Sequence, residues 1–297
     1  MPTTEAAPAL LITGAGSGMG QECALYLASR GYRVFGTVLN DAEDKALCQE
    51  ASQRAVRVTV VPMDVTKAGD VQSGVDSVLS QVARIDGLIQ FAGLGLRGFF
   101  EDLTLDEVRR VFEVNVFGAM AVAQAVLPHM RSNRHGRLIF VSSAAGRMGT
   151  MSISGYASSK FALEGMAECL AQEVRPFGIW VSLLEPGLIW TPHFTVNRNR
   201  ARRATDPASP YYLWFCQHEK LVDDILARRR FTTTDAARVV HGILRARRPR
   251  LRYVVGPGAK LIFRLRSLLP GEWFEQAYWA VVRRKVTRPG EQSTRLS

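Results

Sequence analysis

Tyr156 and Lys160 stand four residues apart in YASSK, within a stretch of helical periodicity. Side chains at that spacing share a helix face, so a phenol and an ammonium can act on one reacting atom. A free tyrosine titrates near pH ~10, so base chemistry at neutral pH needs a positive neighbour to hold its anion. Lys160 supplies that charge. Ser143 ends the apolar run LIFVSS and is the expected hydroxyl donor to a substrate oxygen. Strand alternation turns Ser142 away and leaves it as the rival. These groups suit proton transfer at an alcohol or carbonyl oxygen, with Tyr156 as base in one direction and acid in the other. Asn115, in EVNVFG, is a poor helix residue inside a helical stretch and marks a local kink. It reads equally as the holder of a water linked to Lys160 or as a polar helix-packing group.

The partner of such a site is encoded near the N-terminus. ALLIT runs into TGAGSGMG and then into the helical QECALYLASR. A glycine cluster between a strand and a helix permits a tight turn and close ligand approach, with unpaired helix N–H groups facing a pyrophosphate. Gly14, Ser17, Gly18, Met19 and Gly20 form this expected dinucleotide cradle. Asp64 reads either as acceptor from an adenine amino group or as a helix cap, with Val65 beside the base. The second strand ends in GTVLND, without a carboxylate at Val38 or an arginine at Leu39. The cofactor is thus NAD or NADP, leaning to NAD, with Leu39 at its ribose end. Lys160 is expected to hold ribose hydroxyls while hydride passes between the nicotinamide and the alcohol carbon.

Seven short apolar runs alternate with helical patterns: 9–13, 33–38, 57–61, 87–91, 137–142, 179–184 and 251–255. Several are continuously apolar, as parallel strands covered on both faces require. The expected fold is α/β, these runs forming a parallel sheet with helices on both faces and right-handed crossovers. Helical stripes run from Val108 to Met130 and from Ser158 to Val174. Residues 188–235 interrupt the alternation and read as a substrate lid, and 256–297 as a C-terminal extension. In the lid region Trp190, Phe194, Tyr211, Tyr212, Trp214 and Phe215 suit an apolar pocket with polar handles, though each also suits core packing or a subunit contact.

Composition narrows the classes. The four cysteines are scattered without a CxxC pair, and the five histidines do not cluster with them, so neither a disulfide framework nor a catalytic metal is expected. No basic leader followed by an apolar run opens the sequence, and no stretch approaches the roughly 20 apolar residues of a membrane span, so a cytoplasmic location is expected. The net charge of +11 is concentrated beyond residue 197. No zinc or recognition motif supports nucleic-acid binding. The mixture of bulky and basic residues in LIFRLRSLLPGEWFEQAYWAVVRRK is instead compatible with peripheral membrane contact, pocket closure or a partner surface.

TGAGSGMG, NVFG, VSSAAG, YASSK and EPGLIWT, in this order over roughly 8–192, resemble the classical short-chain dehydrogenases/reductases. The resemblance implies catalytic roles for Asn115, Ser143, Tyr156 and Lys160 and places Pro186, Gly187 and Thr191 in the nicotinamide-side loop. It also implies a single Rossmann-like doubly wound domain over 1–297 with a seven-stranded parallel sheet, assembled as a homodimer or homotetramer through long helices. YASSKFALEGMAECLAQEVRPFGIWVSLLEPGLIWTP is more specifically similar to the steroid and retinoid dehydrogenase branch, implying a hydrophobic alcohol or ketone as substrate. Phe91 departs from the pattern, standing in QFAG where relatives carry asparagine; Ala92 and Gly93 still line the expected cofactor path. The alternative is a catalytically weak dinucleotide-binding regulator or scaffold.

Overall fold

A computed structural model describes residues 7–188, 199–228 and 231–286. Seven parallel strands form one sheet: β1 (Ala9–Thr13), β2 (Arg33–Val38), β3 (Val58–Pro62), β4 (Gly87–Gln90), β5 (Gly136–Val141), β6 (Ile179–Pro186) and β7 (Arg252–Val255). Their spatial order is β3-β2-β1-β4-β5-β6-β7. Strand order therefore reverses between β1 and β4, opening a crevice at their carboxyl ends.

Alternation along the strands divides the core. Leu11, Leu88, Leu138, Phe140 and Leu183 face α3 (Ala68–Leu79), α5 (Ala119–Ser132) and α6 (Ser154–Glu173). Leu10, Ile12, Ile89, Ile139 and Leu184 face α1 (Gly18–Ala28), α2 (Asp41–Gln53) and α8 (Thr233–Arg245). With both faces covered, the strands need no polar side, which explains the continuous apolar runs. Between α7 (Tyr212–Ala227) and the chain end lie α8, β7, α9 (Pro257–Leu268) and α10 (Gly271–Val286).

The stripe expected over 108–130 is a longer helix with an interruption. α4 (Leu105–Phe112) starts at a Thr104/Glu107 capping box, passes through a π-helical stretch at Glu113–Gly118, and continues as α5. By length and composition this helix could cross a bilayer. Its apolar content is instead spent in the core, where Val122, Ala123, Val126 and Met130 are buried.

Gly14 follows β1 at φ +66°, and a Cβ there would lie 2.7 Å from the Ala92 backbone nitrogen. Gly31 has φ +86° with open space around it. Gly31→Ala should therefore cost only the left-handed backbone penalty, about 1–2 kcal/mol. Gly14→Ala adds an overpacking cost of about 1–3 kcal/mol. Urea unfolding of the two variants checks that Gly14→Ala is the more damaging.

Candidate active site

The crevice begins at the turn from β1 into α1. Thr37 Oγ1 accepts from Gly14 N at 3.3 Å, and Thr13 Oγ1 accepts from Ala92 N at 3.3 Å, tying the turn to its neighbours. Ser17 precedes α1 in an extended conformation without capping the helix through its side chain, and no acid occupies the first turn. A Cβ on Gly20 would collide with the Gly14 carbonyl. The result is a tight glycine bend leading to an uncapped helix end at Ser17–Gly20, with Met19 packed on the core. That shape and its positive helix end fit a pyrophosphate.

The other residues expected on the cofactor side lie at or just beyond the carboxyl ends of β2, β3, β4 and β6. Leu39 is 62% exposed, and its backbone N–H donates to Glu43 Oε2 at 2.8 Å. Asp64 accepts from Thr66 N and Oγ1, at 3.0 and 2.7 Å, and these hydrogen bonds, with Lys67 nearby, hold its carboxyl below the usual range. Val65 is buried against Gly118. Gly93 is exposed, whereas Phe91 packs into the core against Gly20. Pro186 ends β6, and Gly187 N donates to Val255 O at 2.9 Å. Thr191 lies outside the described residues.

Asn115 sits in the π-helical stretch and is 1% exposed. Its Oδ1 accepts from Leu94 N at 2.7 Å, and its Nδ2 donates to Leu94 O at 2.9 Å and Ser159 Oγ at 3.0 Å. Ser159 in turn donates to Tyr156 O at 2.7 Å. Asn115 thus fastens the loop after β4 to α6. Both its donors are used, and one acceptor lone pair stays open toward Gly93.

α6 presents Tyr156 and Lys160 on one face. Lys160 Nζ donates to Val141 O at 2.9 Å and lies 5.8 Å from the Tyr156 ring centre. Burial pulls the ammonium down to about pH 8, with Glu164 opposing the shift. Burial pushes the Tyr156 phenol up, partly offset by its hydrogen bond with Ser143. Ser143 leaves β5 into a short 3₁₀ turn, its Oγ accepting from Ala145 N at 3.1 Å. Ser142 points instead toward Gly146 and Glu164, away from Tyr156.

Residues above the crevice come from two loops and α7. Tyr211 stacks on Phe99 with ring centres 5.0 Å apart and donates its hydroxyl to Glu101 at 2.8 Å. Trp214 meets Phe99 edge-on at 6.4 Å. Tyr212 opens α7 half-buried, and Phe215 is buried with Leu96 and Val111. Trp190 and Phe194 lie outside the described residues.

Several participants escaped the sequence reading. Glu43 reaches back over the glycine turn, close enough that a Cβ on Gly16 would lie 2.5 Å from its carboxylate. His218 Nδ1 lies 2.7 Å from Ser152 Oγ, and Ser152 adopts φ +60° just before α6. Burial and Arg97 depress the His218 imidazole to about pH 4, leaving it neutral. Arg97 and Arg200 both pair with Glu219 on α7. These contacts join segments far apart in the chain, and no local pattern announces them. A separate cavity of about 570 Å³ lies on the other face of α6, between Phe161, Glu164, Arg147, Arg252 and Phe263. It has an ionic lining, with Arg252 3.0 Å from Glu164, and Tyr156 takes no part in it.

Among the described residues no group of three or more His, Cys, Asp or Glu side chains is placed to hold a metal ion.

The pattern of the short chain dehydrogenase family matches residues 8–202. A 3-ketodihydrosphingosine reductase of Bacteroides thetaiotaomicron is 34% identical over 269 residues, covering 90% of this chain and 95% of that protein. Human retinol dehydrogenase 8 is 38% identical over 187 residues, covering 61% of this chain and 59% of that protein. A short-chain dehydrogenase from Streptomyces avermitilis has a crystal structure similar to this one, with a TM-score of 0.77 and 29% identity over 96% of this chain and all (100%) of that one. These relatives include more than one named activity and favour no single sub-branch. With the switch-point crevice and glycine turn in place, the chain belongs to the short-chain dehydrogenase family of NAD(P)-dependent oxidoreductases.

Proposed function

We propose that this enzyme interconverts a hydrophobic, lipid-like alcohol and its ketone or aldehyde, with Tyr156 as the proton carrier. The observation that carries this reading is the meeting of Ser143, Tyr156 and Lys160 at the crevice edge. The relatives' names support the substrate class, since 3-ketodihydrosphingosine and retinol are both amphiphiles with one reacting oxygen in a largely apolar molecule. Phe99, Tyr211 and Trp214 offer an aromatic wall for such a body, with half-buried Tyr212 beside them and Phe215 packed behind in the core. A steroid or retinoid is one member of this class.

A nicotinamide held in the crevice supplies the hydride acceptor in oxidation and the donor in reduction. The N–H groups of Ser17–Gly20 hold the pyrophosphate, Gly14 lets it approach, and Ala92 and Gly93 line its path. Asp64 and Val65 would serve the adenine and Pro186 and Gly187 would flank the nicotinamide, the role expected of Thr191 falling outside the described residues. Ser143 donates to the substrate oxygen and fixes it beside the phenol. In oxidation Tyr156 Oη takes the hydroxyl proton, the carbon–oxygen double bond forms, and hydride leaves the carbon. In reduction Tyr156 returns the proton. Lys160 stabilises the phenolate and holds ribose hydroxyls, and Asn115 keeps the loop and helix in register.

Cofactor choice falls to Glu43. Its carboxylate lies over the turn at the end of β2, where a ribose acid favours the unphosphorylated cofactor. A 2′-phosphate there would meet like charge, so NAD is preferred. Phe117 and Phe161, exposed on the long helices, support assembly as a homodimer or homotetramer. The exposed apolar and basic residues of the C-terminal helices support peripheral membrane contact.

Tyr156→Phe should lower kcat/KM by about 100-fold or more while leaving dinucleotide binding and the unfolding midpoint intact; full activity on a verified substrate would remove the proton-transfer role. Because burial raises the phenol, oxidation kcat/KM should climb with pH, then flatten beyond about pH 8 as Lys160 loses its proton. Initial rates across pH in both directions check this, reduction lacking the climb. Glu43→Gln should narrow the NAD-over-NADP binding ratio by about tenfold, read by direct titration without substrate.

A further inference from the structure

The C-terminal helices leave an unusual amount of apolar surface in water. Seven of the thirteen large hydrophobic side chains exposed among the described residues lie between Leu261 and Val281. On α9, Ala259 and Phe263 are buried, with Phe263 beneath the Arg147 guanidinium. Leu261, Leu265 and Leu268 run along another face at i, i+4 and i+7, exposed by 59%, 44% and 77%. Helical geometry makes them one ridge. The corner into α10 extends it through Leu269 and Trp273, the latter 68% exposed. On α10, Phe274 and Val286 are buried and Tyr278 is half-buried, whereas Trp279 and Val281 remain exposed.

We infer that this ridge and corner are a docking surface for a bilayer containing anionic lipid. This deepens, and rests on, the reading of the C-terminal region as a membrane contact. Lys260 and Arg264 are exposed immediately before Leu261 and Leu265, so cationic heads flank the leucine ridge. Their alkyl stems can lie along apolar surface while the charges reach lipid phosphates. Arg284 adds an exposed cation on α10, and Glu272 and Glu275 are the acids on that helix. Over residues 257–286 the six Lys and Arg outnumber these two acids. Exposed tryptophans suit the headgroup boundary, where an apolar ring and a polar N–H are both satisfied.

Charge also argues against a second copy of this chain as the occupant. α9 carries no acid, so a two-fold contact across the ridge would gather Lys260 and Arg264 of both copies along one seam with no counter-charge on that helix. An anionic surface neutralises the same groups. The position suits substrate entry as well. α9 follows β7 directly, and its Ala259 lies beside Gly187 at the end of β6, so the ridge belongs to the crevice end of the sheet. A lipid-like alcohol leaving the bilayer there has a short path to Tyr156.

The test is flotation of the full chain with phosphatidylcholine vesicles, with and without phosphatidylglycerol. Leu268→Glu/Trp273→Glu and Lys260→Glu/Arg264→Glu are compared with the parent after thermal unfolding and dinucleotide titration confirm that each is folded. The parent should bind the phosphatidylglycerol vesicles and release them in high salt. The apolar variant should lose binding by about tenfold or more, and the charge variant should lose the preference for phosphatidylglycerol. A folded parent that floats with neither vesicle overturns the membrane reading itself. Flotation unchanged in both variants leaves that reading standing and overturns this surface. A dimer seen by light scattering, dissolved by Leu268→Glu/Trp273→Glu and silent toward vesicles, overturns the surface in favour of a second copy.

Discussion

The site depends on one amide. Asn115 grips the Leu94 backbone through both its N–H and its carbonyl, while its remaining donor holds Ser159. The loop after β4 already meets the start of α6 where Gly98 N donates to Ser152 O at 2.8 Å and Leu96 packs by Gly155. Asn115 adds a buried polar lock between that loop and the next turn of the helix, and Ser159 passes it on to the Tyr156 carbonyl. A buried asparagine in a regular helix would present its amide at a fixed phase of the turn. The π-helical stretch shifts that phase locally, and such insertions often mark functional positions.

Electrostatics shows the same dependence on neighbours. Burial weakens the lysine ammonium and suppresses the phenolate, so at neutral pH the phenol stays protonated while the ammonium, depressed only to about 8, keeps most of its charge. For folding, a lysine depressed to about 8 from 10.5 is a liability while protonated. The unfolded chain binds that proton more readily between those values, so this contribution to stability improves as pH rises through the window. Catalysis asks for the charged forms instead. The site is therefore poised to gain from a positive ligand charge beside the phenol rather than to ionise on its own.

Much of this was readable from the chain. Continuous apolar runs located all seven strands, with ends displaced by a residue or two: β3 starts at Val58 rather than Arg57, and β6 continues to Pro186. The glycine turn and the i, i+4 tyrosine–lysine pair are local patterns and survive translation into three dimensions. The helix irregularity expected at Asn115 takes the form of a π-helical stretch, although the carbonyl and N–H that the side chain holds could not be read, because Leu94 is brought to it only by the sheet. The aromatic stretch PYYLWF gave no clean helical stripe, yet it starts a 16-residue helix whose packing comes from Phe99 and Leu96. Glu43 looked like one more acid in a first helical turn. Its place over the glycine turn arises from the βαβ geometry that folds α2 back over Gly16.

The pairing of Ser152 with His218 has a consequence for when the roof of the crevice can come loose. Ser152 holds a left-handed backbone shape that serine seldom adopts, directly ahead of the helix bearing Tyr156, and α7 grips it through a neutral imidazole. Burial, with Arg97 beside the ring, holds its affinity for protons down to about pH 4 against the opposing charge of Glu219. Moderate acidification thus leaves this clasp neutral and shut.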